Sequence, residues 1–354
     1  MLPQGSIPTM ITPFGSDGKV DWISADKLVE WYLAAGCVGV FAPCLSSEMF
    51  DLSPEERLAF ATRVKKVVGK RGVVVSTGTY GGPIEEQAAF VKKMGKCCDA
   101  VVVNTATLVP QDASDAAWKV AATKLLELTG NVPLGLYECP VPYKRLLSPA
   151  LIKWCADSGR FHFHKDTCCN MEEIRAKLEA IGAPPPTLAF EHGGFEPVKK
   201  KQKVKAGGAS PFRFYNANVE TLLSSVLAGA HGFSGISANF YPHLHTWLIK
   251  TATSGPKKAD LDKLRRVQDF LSVAEAIVCV GYPASAKAYN RLAPGGGLLR
   301  TDCRAKGPDG KPKGVGDGYF LEHQQEALAA MWRMQRDLCE ELGIASPPLP
   351  TTSK

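Results

Sequence analysis

The chain has 354 residues, a formal net charge of +7, 45% hydrophobic and 22% charged side chains, and a mean hydropathy of −0.07. These values exclude a disordered polymer and a membrane-spanning bundle, and they leave room for one large α/β core with an appendage. Much of the positive excess sits in one run, Lys199, Lys200, Lys201, Lys203 and Lys205, which reads as a solvated loop; no basic face interleaved with aromatic residues calls for a nucleic-acid partner.

In chain order, short apolar runs alternate with longer stretches of helical period. Strand candidates begin near Ile7, Val38, Gly72, Ala100, Val132, Phe161, Phe212 and Gly232, most of them about thirty residues apart, the length of one βα unit. Eight such units predict a (β/α)8 TIM barrel with a C-terminal helical extension. A doubly wound open sheet is the rival, but no G-x-G-x-x-G follows a strand to support it. Ser53-Pro54-Glu55-Glu56 and Ser148-Pro149 predict capped helix starts. Between Phe161 and Phe212 the pattern predicts a helix over 171–181, a short extra strand over 187–190 and a Lys-rich insertion near 191–210 on the barrel rim. The barrel is expected over 1–250 and the helical extension over 251–354, with helical patterns over 260–280, 283–291 and 320–342 and a Gly- and Pro-rich loop over 293–318.

The eleven cysteines include no C-x-x-C spacing and several lie in apolar runs, so they read as reduced thiols. With no signal or transit segment before Ile7, the cytoplasm is the expected address.

In a barrel of this type the reactive groups stand at the C-terminal ends of the strands. Lys165 ends the apolar and aromatic strand Phe161-His162-Phe163-His164, where desolvation would turn its amine into a nucleophile able to form an imine with a ketone. The competing reading is an ion pair with Asp166 or with a carboxylate on a neighbouring strand. Tyr137 ends the preceding strand and could relay a proton to the substrate oxygen; the competing reading is a rim tyrosine that packs a loop. His162 and His164 alternate to the face opposite Lys165. No nearby carboxylate completes a ligand set for them in the sequence, so they are expected to be satisfied structural residues, with no metal and no other cofactor.

Three segments carry a resemblance: Tyr137-Glu138-Cys139-Pro140, Lys165-Asp166-Thr167, and Leu52-Ser53-Pro54-Glu55-Glu56 after the second-strand loop. They are similar to the Tyr-Asn-x-Pro and Lys-Asp-Ser motifs and the corresponding helix start of the dihydrodipicolinate synthase and N-acetylneuraminate lyase family. These are class I pyruvate-dependent aldolases built on a barrel with C-terminal helices. The resemblance spans residues 7–304. It implies Lys165 as the Schiff-base lysine and Tyr137 as the proton relay. It also places Ser46 and Ser47 in the loop that holds a substrate carboxylate, and Ser234 where a backbone carbonyl contacts pyruvate.

A 2-keto acid substrate and a homodimer or homotetramer follow from the same resemblance. Pro142 stands where members that make dihydrodipicolinate carry arginine, and residues 104–109 lack the tyrosine those members use. The expected function is a Schiff-base lyase or aldolase acting on pyruvate or on a pyruvate-releasing sugar acid. A 4-hydroxy-tetrahydrodipicolinate synthase, a sugar-acid dehydratase and a catalytically silent ligand-binding barrel are the alternatives. Lys287, in Tyr282-Pro283-Ala284-Ser285-Ala286-Lys287, is expected to be structural.

Overall fold

Runs such as Val73-Val74-Val75 and Ala100-Val101-Val102-Val103 are β-branched and carry no alternation of polar residues, the pattern of strands covered on both faces. The computed structural model places them so. It describes residues 1–183, 188–192, 194–198, 211–292, 299–300, 302–306 and 322–347; the Lys-rich run over 199–205 and most of the loop over 293–318 lie outside the described residues.

Eight strands form one parallel sheet: β1 (Gly5–Ser6), β2 (Gly39–Phe41), β3 (Val73–Thr77), β4 (Ala100–Asn104), β5 (Leu134–Tyr137), β6 (Phe161–Asp166), β9 (Arg213–Asn216) and β10 (Gly232–Phe233), in the order β1-β10-β9-β6-β5-β4-β3-β2. Its two ends meet. Thr9 bridges Phe41 in parallel, and Val38 N donates to Ser6 O at 3.0 Å while Phe41 N donates to Pro8 O at 2.9 Å. The sheet therefore closes as the (β/α)8 barrel that the sequence predicts. At the closing seam, a Cβ on Gly232 would lie 1.8 Å from Gly5 O, so only glycine allows β1 and β10 to approach this closely.

The remaining two strands, β7 (Leu188–Glu191) and β8 (Gly194–Pro197), form an antiparallel hairpin outside the barrel. The first is the extra strand expected near 187–190. The second falls inside the expected insertion and carries no apolar run that would announce it.

Helices α1 (Trp22–Ala34), α2 (Pro54–Val68), α3 (Ile84–Met94), α4 (Asp115–Thr129), α5 (Pro149–Asp157), α6 (Met171–Ala180), α7 (Leu222–Leu227) and α8 (Pro242–Thr253) each follow a barrel strand. Both predicted caps form: Glu56 N donates to Ser53 Oγ at 3.1 Å, and Leu151 N to Ser148 Oγ at 3.3 Å. Three further helices follow, α9 (Lys258–Val278), α10 (Ala284–Leu292) and α11 (Glu322–Leu342). Inside the barrel, Ile7, Phe41, Val75, Val102, Phe163 and Tyr215 pack into one buried apolar cluster, a dry floor beneath the strand ends that carry the chemistry.

Candidate active site

The parallel register of β5 and β6 sets Tyr137 opposite Lys165, and the alternation of strand side chains turns both into the barrel. Lys165 is only 4% exposed. Its Nζ lies 4.5 Å from the centroid of the Tyr137 ring and 5.8 Å from that of Phe41. Burial lowers the Lys165 pKa to about 8, against a smaller opposing pull from the thiols of Cys44 and Cys139. About a fifth of such amines are neutral at pH 7.4, compared with about one in a thousand at the ordinary value. Among the described residues no carboxylate makes a salt bridge with Lys165, so the competing ion-pair reading does not hold. Tyr137 is 4% exposed, and burial raises its phenol well above the ordinary range; at neutral pH it is a proton donor.

Asp166 and Glu138 alternate to the opposite face of the same strand ends. There they clasp one ammonium: Lys177 Nζ on α6 donates to Glu138 Oε1 at 2.8 Å and to Asp166 Oδ2 at 2.6 Å, with all three side chains buried. Glu138 also accepts from Leu147 N at 2.9 Å and Thr167 N at 3.1 Å, so it ties the loops after β5 and β6 together directly behind Tyr137 and Lys165.

The sequence expectation for His164 needs correction here. Glu138 and Asp166 do stand beside it, with ligand atoms within 4.8 Å of one another, because β5 and β6 pair in register. Among the described residues neither ring nitrogen makes a hydrogen bond; Nε2 lies 3.7 Å from Asp166 Oδ2 and 3.9 Å from Glu138 Oε1, the two oxygens that the Lys177 ammonium engages. Lys177 itself was missed. Its one sequence signal is that it shares a helical face with the buried Ile174 and Leu178.

The loop after β2 coils as a short 3-10 turn over Leu45–Ser47. Ser47 Oγ donates to Met10 O at 2.6 Å and accepts from Cys44 N at 3.0 Å, so its hydroxyl is committed to shaping the turn. Ser46, 6% exposed, remains as the hydroxyl of this loop that can face a ligand. Ser234 is fully buried, and its Oγ has no partner among the described residues; its N–H donates to Asn216 O at 2.8 Å. Glu48, next in the loop, is clasped by the C-terminal region: Lys287 Nζ donates to Glu48 Oε1 at 2.8 Å, and Ala305 N to Oε2 at 2.7 Å. This ties α10 to the β2 loop.

Arg145, near Pro142 in the loop after β5, is buried. It donates to Ala113 O at 2.9 Å and to Asp115 Oδ1 at 3.3 Å.

Comparison with known proteins agrees with this fold. Residues 2–102 match the dihydrodipicolinate synthetase family. A 4-hydroxy-tetrahydrodipicolinate synthase of Ralstonia nicotianae is 24% identical over 310 residues, covering 85% of this chain and 93% of the relative. The chloride-inhibited dihydrodipicolinate synthase of Acinetobacter baumannii, crystallised with pyruvate, superposes with a TM-score of 0.71 at 21% identity, covering 97% of this chain and 99% of that one. The chain is thus similar, at low identity, to proteins of the dihydrodipicolinate synthetase family. Within the same fold it also resembles the Clostridium difficile protein CdNal, crystallised with mannosamine, at a TM-score of 0.71 and 11% identity, with 94% of this chain and 98% of that one covered.

Proposed function

We propose that the chain is a Schiff-base lyase or aldolase acting on a 2-keto acid, with pyruvate as the first substrate. The observation that carries this reading is Lys165, a buried amine whose pKa burial lowers to about 8, set beside the phenol of Tyr137 at the end of a barrel strand. The neutral amine adds to the C2 carbonyl. The carbinolamine then loses water as Tyr137 supplies a proton to the departing oxygen, leaving a protonated imine. Loss of a C3 proton gives the enamine, which adds to an aldehyde; in the reverse direction the imine accepts the electrons of the breaking C3–C4 bond. Ser46 holds the keto-acid carboxylate, Ser47 shapes the loop around it, and the segment at Ser234 contributes a backbone carbonyl.

The similar 4-hydroxy-tetrahydrodipicolinate synthases support a synthase or lyase, and pyruvate in the Acinetobacter baumannii structure supports the first substrate. Arg145 is engaged with Asp115, which leaves the broader lyase reading ahead of the dipicolinate one. A homodimer or homotetramer and a cytoplasmic address belong to the same proposal. The address is supported by a set of eleven free cysteines, the pattern of a reducing compartment; no described helix is long and apolar enough to cross a membrane.

The test is exchange of the pyruvate methyl protons in D2O, followed by NMR. Wild-type protein is expected to exchange them, and Lys165→Ala is expected to leave them at the buffer rate. Exchange that survives in Lys165→Ala would rule out the enamine on this lysine.

A further inference from the structure

Residues 302–306, which follow α10 in the chain, lie across the loops after β1 and β2, and Glu48 is where they meet the site. Glu48 is buried and closes the turn that carries Ser46 and Ser47, with its N–H donating to Leu45 O at 2.9 Å. It does so in the left-handed region, at φ 57° and ψ 41°, which a residue other than glycine holds only against a penalty. Its carboxylate is gripped from the C-terminal side. Lys287 Nζ donates to Oε1 at 2.8 Å, and the successive N–H groups of Arg304 and Ala305 both donate to Oε2, the second at 2.7 Å. Lys287 Nζ also donates to Asp302 O at 2.6 Å, so one ammonium joins α10, Glu48 and residues 302–306.

The Arg304 side chain extends the grip to two more places. Its Nη1 and Nη2 donate to Glu56 Oε2 and Oε1 at 2.7 and 2.8 Å, in the first turn of α2. Nε and Nη2 donate to Gly18 O at 3.0 and 2.8 Å. The guanidinium and the Lys287 ammonium each lie 4.7 Å from the centroid of the Phe14 ring. Gly18 and Phe14 belong to the loop after β1, and from that loop Thr12 Oγ1 donates to Ser47 O at 2.8 Å.

We propose that residues 302–306 are a strap that sets the shape of the Ser46–Ser47 turn for the keto-acid carboxylate, with Glu48, Lys287 and Arg304 as positioning residues. The strap holds Glu48 in its left-handed conformation from one side of the turn, and it anchors the loop that carries Thr12 on the other. Lys165 and Tyr137 stand on different strands, β6 and β5. Loosening the strap therefore weakens the hold on the carboxylate and leaves imine chemistry in place.

This inference rests on the Schiff-base reading, and its test separates the two. Borohydride trapping is measured against pyruvate concentration. In Arg304→Gln the concentration that half-saturates trapping is expected to rise about tenfold, with the limiting rate within about twofold of wild type. Arg304→Lys keeps the charge over Phe14 but cannot fork between Glu56 and Gly18, and a rise of about threefold is expected. Ser46→Ala is expected to match Arg304→Gln, and the double variant to show no more than Ser46→Ala alone, since both changes act on one contact.

An arginine that served stability alone would lower the melting temperature and leave half-saturation in place. Unchanged half-saturation in whichever of Arg304→Gln and Arg304→Lys folds overturns the strap. So does a limiting rate that falls while half-saturation holds, and so do additive effects in the double variant. A wild-type protein that traps no pyruvate overturns the Schiff-base reading and this inference with it.

Discussion

At the scale of single residues, the role proposed for Lys165 sets function against stability. Its folded pKa of about 8 lies below the ordinary 10.5, so between those values the unfolded chain binds more protons than the folded one, and stability rises with pH across that window. At pH 7 the full penalty is present. Lys165→Met, which keeps the length of the side chain and removes the charge, is expected to stabilise the fold by up to about 3 kcal/mol at pH 7 and by much less at pH 10.5. Urea titrations at the two pH values check this, and a destabilised variant at pH 7 would show that the amine is not desolvated. Tyr137→Phe should keep the fold and slow pyruvate proton exchange by about a hundredfold or more; an unchanged exchange rate would take the phenol out of the proton path. The place of Lys165 at the end of a strand was legible in the sequence, because it closes a run of apolar and aromatic residues. The buried pairing of Lys287 with Glu48 was not, because the two stand 239 positions apart and only the closed fold brings them together.

At the scale of elements, two buried ion pairs brace the site from opposite sides. Lys177 on α6 joins the ends of β5 and β6, and Lys287 on α10 joins the C-terminal helices to the β2 loop. Burial pushes the Asp166 carboxyl up, but His164 and the Lys177 charge outweigh it and hold it below the ordinary carboxylate range. The stability this contributes is therefore present above the unfolded value near pH 4 and is lost as pH falls below it.

Lys177→Met strands two buried carboxylates and should cost about 3–5 kcal/mol at pH 7. Part of that loss should return as the medium is acidified toward pH 4, where Asp166, no longer held down by the Lys177 charge, takes up a proton. Thermal melts across pH 4–7 read it, and a loss independent of pH would assign the effect to packing. The helix and strand starts around these braces were legible, since Ser53-Pro54 and Ser148-Pro149 carry their capping chemistry locally. The braces themselves were not: each joins residues far apart in sequence, and a lysine among glutamates on a helix looks like any solvated one.

At the scale of the whole molecule, the barrel was legible because apolar runs spaced by one βα unit leave few other ways to bury eight two-faced strands. Closure adds what spacing cannot show. The seam depends on Gly232, whose missing Cβ would lie 1.8 Å from Gly5 O. Gly232→Ala is accordingly expected to part β1 from β10 and lower the melting temperature by several degrees, while Gly343→Ala, at a site where nothing stands within 4 Å, isolates the smaller effect of a positive φ alone. The central claim is the imine on Lys165, and borohydride reduction in the presence of pyruvate followed by peptide mass spectrometry tests it most directly. The expected result is one adduct, on Lys165, formed faster as pH rises through about 8 and absent from Lys165→Ala; an adduct on any other lysine, or none at all, would contradict the account.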